Sequence, residues 1–586
     1  MTAPSSVRDL ITAQLSALPE FEKFGAATCS ELAEKGQWYC VPGGNALFAQ
    51  GAAANRFFIV LSGRLIVVRQ VAGQDQVIGY VRAGEMVGEM ALLSGEPHSA
   101  SVYTLRDTEV LCLEREAFTD LFEEHADFAS GLARTILART RHPTSSFQQA
   151  SPRVFALVCT SPSIDIDAIA GTLIQQISGL GKTVSVLTDE ALERAESGFH
   201  GIEREADITL LMCRVEDSPW YRFVLRHADR FFVFARHDAR PPQPFPLSPG
   251  NVSPARKFRL VDLVMIEEGR HAGQGAIPQW VAAVEANRVF PWEPGPAAAR
   301  LARVIAGKTL GLVLSGGGAR AYAHIGVVKH LREAGFPIDF VSGASMGAVI
   351  AACVAMGWDD AEIEERIRDA FVRSNPLGDH VLPVVALTRG RLVEERLEKH
   401  FGDICIEELK VPYFCISSEL TEGVERVHRR GVLRHALRAS ISLPGILPPV
   451  VDGDQLLVDG AVINNFPTTL MKDLHRGLTI GVDVARRGTI SAEDYIDPPG
   501  FIRWVRQHGI RSTPPIVPLL MRSASARQSI NDPADDPDIL IEPKVPDVGI
   551  RDWRSFEQAV EDGREAARRV LEGEGAELSH FKVLIG

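Results

Sequence analysis

Gly343-Ala344-Ser345-Met346-Gly347 follows the apolar stretch Ile338–Val341 and precedes the small-residue run Ala348–Met356. Strand-like sequence, one serine between two glycines, then helix-like sequence is the pattern of a nucleophile elbow. The turn is too tight for side chains on its flanks, so Gly343 and Gly347 stand there. Ser345 is thereby lifted to the mouth of a sheet, beside the N-terminal amides of the following helix, which favour negative charge.

Working outward, Thr309–Ser315 reads as a buried strand, Gly316-Gly317-Gly318-Ala319-Arg320 as a loop, and Ala321–Ala334 as an amphipathic helix. Three glycines between strand and helix let main-chain N–H groups face outward, as an oxyanion hole requires; one such donor is worth about 10²–10³ in rate. A phosphate-binding glycine loop has similar geometry. However, Gly316–Arg320 has neither the Gly-Lys-Ser/Thr ending of a P-loop nor the spacing of a dinucleotide fingerprint. The third element is Val458-Asp459-Gly460-Ala461, after the strand-like Gln455–Val458. A carboxylate with its ordinary pKa near 3.9 is a poor base for a serine hydroxyl. Asp459 therefore needs burial, or a mediating water, to activate Ser345. Alone, Asp-Gly is a common turn pair.

Together these elements resemble the patatin-like phospholipase family, in which a glycine-rich loop, a G-x-S-x-G serine and an Asp-Gly-Gly or Asp-Gly-Ala aspartate make an oxyanion hole and a Ser–Asp dyad. Ala323-His324-Ile325-Gly326, Ala439–Pro444 and Asp459–Pro467 look like the bacterial relatives of neuropathy target esterase. The resemblance covers residues 305–586 and implies an α/β hydrolase domain. It makes Ser345 the nucleophile, Asp459 its partner, and Gly316, Gly317, Gly318 and Arg320 the anion-stabilising loop. Ala321 stands where the family often has glycine. The implied reaction is hydrolysis of phospholipid or lysophospholipid acyl esters through an acyl-serine, with no cofactor and no metal. The apolar Leu443–Val451 is an acyl-chain lining or simply core.

Two other readings stay open. One is a Ser-Asp-His triad, with His475, His508 or His580 completing it; His324, one helix turn past the glycine loop, reads as structural. The other is a ligand-sensing scaffold whose hydrolase domain is silent.

Residues 15–145 are rich in short strands. Arg56–Leu61 and Leu65–Arg69 read as a hairpin about Ser62-Gly63-Arg64, followed by strands at Gln76–Tyr80, Ser101–Leu105 and Glu109–Glu114, and by helices over Arg115–Arg141. The layout resembles a cyclic-nucleotide-binding β-roll with its phosphate cassette at Gly88-Glu89-Met90-Ala91-Leu92 and Pro97-His98-Ser99-Ala100. The resemblance gives Glu89 the ribose hydroxyl and the amides near Gly88 and Ala100 the phosphate. His98 departs from the family's arginine, which supplies a permanent charge and a planar fork. A cyclic nucleotide is therefore one implied ligand; a β-roll that binds something else, or nothing, is the alternative. In either case it is expected to regulate the hydrolase.

Residues 150–295 alternate strands (Val154–Thr160, Thr183–Thr188, Ile208–Cys213, Arg230–Ala235, Leu263–Ile266) with helices, the signature of a parallel α/β layer. Gly181-Lys182-Thr183 is not a P-loop, because Gln176 occupies the first glycine position and the segment leads from helix into strand. This block resembles a degenerate nucleotide-hydrolase-like module, read as a spacer or dimerisation element in a homo-oligomer. Pro241–Pro254 reads as an exposed loop.

The bulk properties fit such a multidomain chain. At 586 residues, 45% hydrophobic and 23% charged, it is sized for two to four domains. A net charge of −13 argues against nucleic acid and against broad adhesion to anionic lipid. No window reaches about 18 uninterrupted apolar residues, and Met1–Leu10 carries no secretory signal. Eight cysteines without C-x-x-C pairs suit a reducing compartment. The expected location is cytoplasmic, peripheral at the inner membrane face, where Phe501, Ile502, Trp504 and Val505 interleave with Arg503, Arg506 and Arg511 as an interfacial patch or a helix packed on the core. Thr513–Pro518 and Asp532–Asp538 read as loops, and Asp552–Leu571 as a charged surface helix.

Overall fold

The computed structural model describes residues 7–16, 18, 21, 24–71, 74–141, 152–242, 245, 260–266, 276–293, 295–382, 384–485, 503, 506, 536–545 and 554–572. Phe501, Ile502, Trp504, Val505, Arg511, Thr513–Pro518, His508, His580 and most of Pro241–Pro254 lie outside these residues. The protein forms two compact units, residues 1–174 with 182–287, and 288–586 with 175–181.

The first unit begins with a β-roll of two four-stranded antiparallel sheets. One runs Gln37–Val41, Thr108–Glu114, Arg56–Ser62, Met86–Val87; the other runs Ala46–Phe48, Ser101–Thr104, Arg64–Val71, Gln74–Arg82. The expected hairpin about Gly63 is therefore a corner. Arg56–Ser62 pairs with Thr108–Glu114, whereas Arg64–Val71 pairs with Gln74–Arg82 in the other sheet. Gly63 sits at φ +95°, and a Cβ there would lie 2.4 Å from Thr108 Oγ1, so the chain turns where only glycine fits. Apolar side chains such as Phe58, Val60, Leu65 and Val102 fill the space within the roll.

In the same unit, five parallel strands follow in the order Val184–Leu187, Ile208–Arg214, Val154–Cys159, Arg230–Arg236, Leu260–Ile266. Continuous apolar runs, with every residue of Val154–Cys159 buried, are what a sheet covered on both faces demands. Buried charges join this layer to the roll. Arg106 reaches Glu203 at 2.7 Å and Asp229 at 3.1 Å. Burial alone would raise the Asp229 carboxyl, but Arg106 and Arg64 outweigh it and hold it below the usual carboxylate range.

The second unit is built on a mixed sheet ordered Val450–Asp452, Gln455–Asp459, Tyr413–Glu419, Phe340–Ala344, Thr309–Leu314, Gly477–Val482, Ile539–Ile541, with Val424–His428 also paired to Tyr413–Glu419. Its five successive strands from Tyr413–Glu419 to Ile539–Ile541 are parallel. The fold is thus multidomain: a β-roll, an α/β layer and an α/β hydrolase-type domain. The helix expected from Ala321 starts as a tight 3₁₀ turn at Gly318–Tyr322 and becomes α-helical over Ala323–Glu333. The late helix, Phe556–Glu572, is not only a surface element. It buries Ala559, Val560, Gly563, Ala566, Ala567 and Leu571, and it crosses Ala323–Glu333 so closely that a Cβ at Gly563 would lie 1.9 Å from the Ala323 carbonyl oxygen.

Candidate active site

Adjacent parallel strands deliver the two glycine motifs to one edge. Thr309–Leu314 ends in Ser315–Gly318, and Phe340–Ala344 ends in Ser345. Ser345 is at φ +52°, a left-handed conformation that costs a non-glycine residue about 1–3 kcal/mol. Close packing explains the flanking glycines. A Cβ at Gly343 would lie 2.6 Å from the Gly347 carbonyl carbon, and one at Gly347 would lie 2.4 Å from the Ser315 carbonyl oxygen. The elbow is wedged against the neighbouring strand, with its strain concentrated on the serine.

The strand Gln455–Asp459, antiparallel to Tyr413–Glu419, brings in the carboxylate, with Asp459 opposite Ser417. Ser345 Oγ donates to Asp459 Oδ2 at 2.6 Å, while the Ala461 N–H donates to Oδ1 at 2.9 Å. Asp459 is buried. Burial lifts its carboxyl to about 6, against the lowering effect of those two hydrogen bonds. That is the basicity an ordinary aspartate lacks. Gly460 is required as well, since a Cβ there would lie 2.6 Å from the Ile416 carbonyl oxygen.

The glycine loop lies against the serine: a Cβ at Gly316 would stand 3.0 Å from Ser345 Cβ. Its three amides are not equivalent. The Gly316 N–H donates to Asn465 Oδ1 at 3.1 Å, and Asn465 Nδ2 donates back to the Gly316 carbonyl at 3.3 Å. The N–H groups of Gly317 and Gly318 meet no acceptor among the described residues. Gly318, at φ +59°, turns the chain into the 3₁₀ segment that carries Arg320.

Two residues that the motifs did not reveal hold the dyad. The Ser345 N–H donates to Ser440 Oγ at 3.0 Å, and the Asp459 N–H donates to the Ser442 carbonyl at 3.0 Å. Asn465, which holds the glycine loop rather than the dyad, is likewise not revealed by the motifs. The only sequence signal was their position inside Ala439–Pro444 and Asp459–Pro467.

Of the candidate histidines, the two among the described residues make bonds away from the dyad. His324 is fully enclosed, with its ring pushed down to about 4 by burial and Nε2 on the Ser315 carbonyl at 2.8 Å. His475 bonds Thr309 Oγ1 at 2.8 Å, at the start of the strand whose other end carries the glycine loop, and burial takes it to about 3.

In the β-roll cassette, Gly88 (φ +94°) caps the helix Glu89–Ser94, Glu89 and Ala100 are buried, and Ser99 is exposed. His98 presents a ring where the family's arginine would present a charged fork. Its ring stacks on Phe48 with centroids 3.8 Å apart and planes 12° apart, and burial lowers its pKa. It is therefore neutral at pH 7 and engaged as an aromatic surface.

Comparison with known proteins agrees with this architecture. The patatin-like phospholipase family matches residues 312–472, and the cyclic nucleotide-binding domain family matches 40–125. An uncharacterized NTE family protein of Mycobacterium tuberculosis is 32% identical, covering 91% of this chain and 92% of its own. Patatin-like phospholipase domain-containing protein 6 of Homo sapiens is 27% identical over 78% of this chain and 38% of its own. Neuropathy target esterase sws of Drosophila melanogaster is 24% identical over 78% and 37%. With that mycobacterial likeness running through nine-tenths of both chains, this protein belongs to the NTE family, and it is a carboxylic ester hydrolase of the patatin-like phospholipase type.

Proposed function

We propose that the protein hydrolyses acyl esters of phospholipids or lysophospholipids through a Ser345–Asp459 dyad and an acyl-serine intermediate. The 2.6 Å hydrogen bond from Ser345 Oγ to a buried carboxylate is the observation that carries this reading. Ser345 Oγ attacks the ester carbonyl carbon as its proton passes to Asp459 Oδ2. The resulting oxyanion is met by the Gly317 and Gly318 N–H groups, with Arg320 adding positive charge. Gly316 supports this set by positioning the loop, because its own N–H is directed to Asn465. Collapse expels the lipid alcohol, which takes the proton back from Asp459. A water, deprotonated by the same carboxylate, then attacks the acyl-serine and releases the fatty acid.

Ser345→Ala is expected to abolish hydrolysis of short p-nitrophenyl esters and labelling by a fluorophosphonate probe. Activity near wild type in that variant would refute the assignment.

We further read the β-roll as a regulator that works by packing rather than by nucleotide phosphate. The neutral, stacked His98 supports this, because it offers no fixed charge to an anion. Calorimetric titration with cyclic AMP and cyclic GMP should show no micromolar binding; a micromolar signal that disappears in Glu89→Ala would overturn it.

A further inference from the structure

We propose that the loop between His380 and Thr388, with the hairpin that ends in Asp459, seats the hydrolase on a zwitterionic phospholipid bilayer. His380 and Thr388 pair as an antiparallel bridge, and the Val381 N–H reaches the Leu387 carbonyl at 3.0 Å, so this stretch is a finger closed at its base. The tip carries Leu382, Val384 and Val385, exposed to 88%, 88% and 66%. Single exposed apolar residues are ordinary on soluble proteins, but Leu382, Val384 and Val385 all lie within one loop closed at its base.

The finger's base is tied to the segment that follows Ser440 and Ser442, by Leu387 N–H to the Gly445 carbonyl at 2.9 Å and Thr388 N–H to the Ile446 carbonyl at 3.1 Å. That segment continues into Val451, exposed to 70% and opposite Leu456. Strand register gives the direction. Ala344 aligns with Ile416, so Ser417–Glu419 runs outward past Ser345. Leu420, bonded to the Leu456 carbonyl at 2.9 Å, stands about 10 Å beyond the nucleophile at ~3.3 Å per residue. The exposed Leu420, Val451 and Leu456 therefore flank the edge at which Ser345 opens.

The charges around this surface select the kind of bilayer. Exposed Glu422, Asp452 and Asp454 accompany the hairpin, and exposed Arg389 and Arg391 stand at the finger's base. Mixed signs give no electrostatic pull toward anionic headgroups, so burial of apolar side chains in the interfacial region is the driving force. An esterase whose substrate resides in a bilayer needs such a seat beside its nucleophile. The proposal rests on the proposed hydrolase function for the substrate class alone.

The test uses the full-length protein with phosphatidylcholine vesicles in a sedimentation assay, comparing wild type with the triple variant Leu382→Ser, Val384→Ser, Val385→Ser. Wild type should sediment with vesicles equally at low and high salt. The variant should lose at least tenfold in binding and in vesicle hydrolysis while keeping wild-type turnover of a soluble p-nitrophenyl ester. Equal binding by the two proteins, no binding by wild type, or a shift of wild type alone to a dimer in solution would each overturn the proposal. Absence of soluble-ester turnover in wild type would instead count against the hydrolase reading and leave the binding result standing.

Discussion

Ser440 accepts the main-chain N–H of Ser345 through its hydroxyl, across 3.0 Å. Two residues further along, the Ser442 carbonyl accepts the N–H of Asp459. One short stretch therefore holds both members of the dyad by their backbones, which leaves the two side chains free to face each other. It also stabilises the left-handed conformation of Ser345.

Removing the Ser440 hydroxyl leaves that partly buried N–H without its acceptor, at about 1–3 kcal/mol. Ser440→Ala should lower kcat for a soluble ester about tenfold with little change in KM. Ser440→Thr, which keeps the acceptor, should recover most of the loss. An alanine variant with wild-type kcat would show that the bond has no positioning role.

The Asp459 carboxyl, held up to about 6, gives the pH dependence. The proton-accepting form grows as pH rises, so kcat/KM should climb with an inflection near pH 6 and then level off. Stability moves the other way. A raised carboxyl pKa favours the protonated native state, so its contribution is complete below about pH 4 and is lost as pH rises through about 6. Asp459→Asn should therefore be inactive yet more stable than wild type at pH 7.5, by roughly 2–3 kcal/mol. Parallel pH–rate profiles and thermal melts check both halves.

Asn465 pairs with both the N–H and the carbonyl of Gly316. Asn465→Ala should loosen the glycine loop and slow both ester turnover and fluorophosphonate labelling by 10- to 100-fold, while the Asp459 inflection near pH 6 stays in place. A shifted pH profile would point instead to a disturbed dyad.

Gly326 and Gly563 mark the crossing of Ala323–Glu333 with Phe556–Glu572; a Cβ at Gly326 would lie 1.8 Å from the Val560 carbonyl oxygen. Backbone cannot yield as a flexible side chain does, so Gly326→Ala should cost about 3 kcal/mol or more. Gly171→Ala, where nothing lies within 4 Å, is the control expected to leave stability unchanged or improved. Denaturant melts of the two variants decide it.

What could be read in the sequence was local. Gly343, Gly347 and Gly460 announce themselves because backbone approaches them, Gly316 and Gly317 because side chains press on them, and Gly318 because its φ is positive; the apolar runs of the parallel strands read directly as buried strands. The Ser345–Asp459 contact joins two such local signals. Ser440 and Asn465 were not legible as partners, since a serine hydroxyl or an asparagine amide carries no mark of which distant N–H it meets. The corner at Gly63 reads as a hairpin for a related reason. A positive-φ glycine between two apolar runs looks the same whether the chain doubles back or passes into another sheet, and only the pairing of Arg56–Ser62 with Thr108–Glu114 distinguishes them. The helix Phe556–Glu572 looked like surface because its charges dominate, while its buried face is made of small residues such as Ala559, Gly563 and Ala567.

That helix ties the glycine loop to a part of the chain that supplies no reacting group. Ala323–Glu333, which follows the loop, meets backbone at Val560 and Gly563, both beyond Asp459 in the sequence. A chain cut before Phe556 would keep Ser345, Asp459 and the three glycines yet leave that contact face bare. Esterolysis should therefore depend on a brace that touches no substrate.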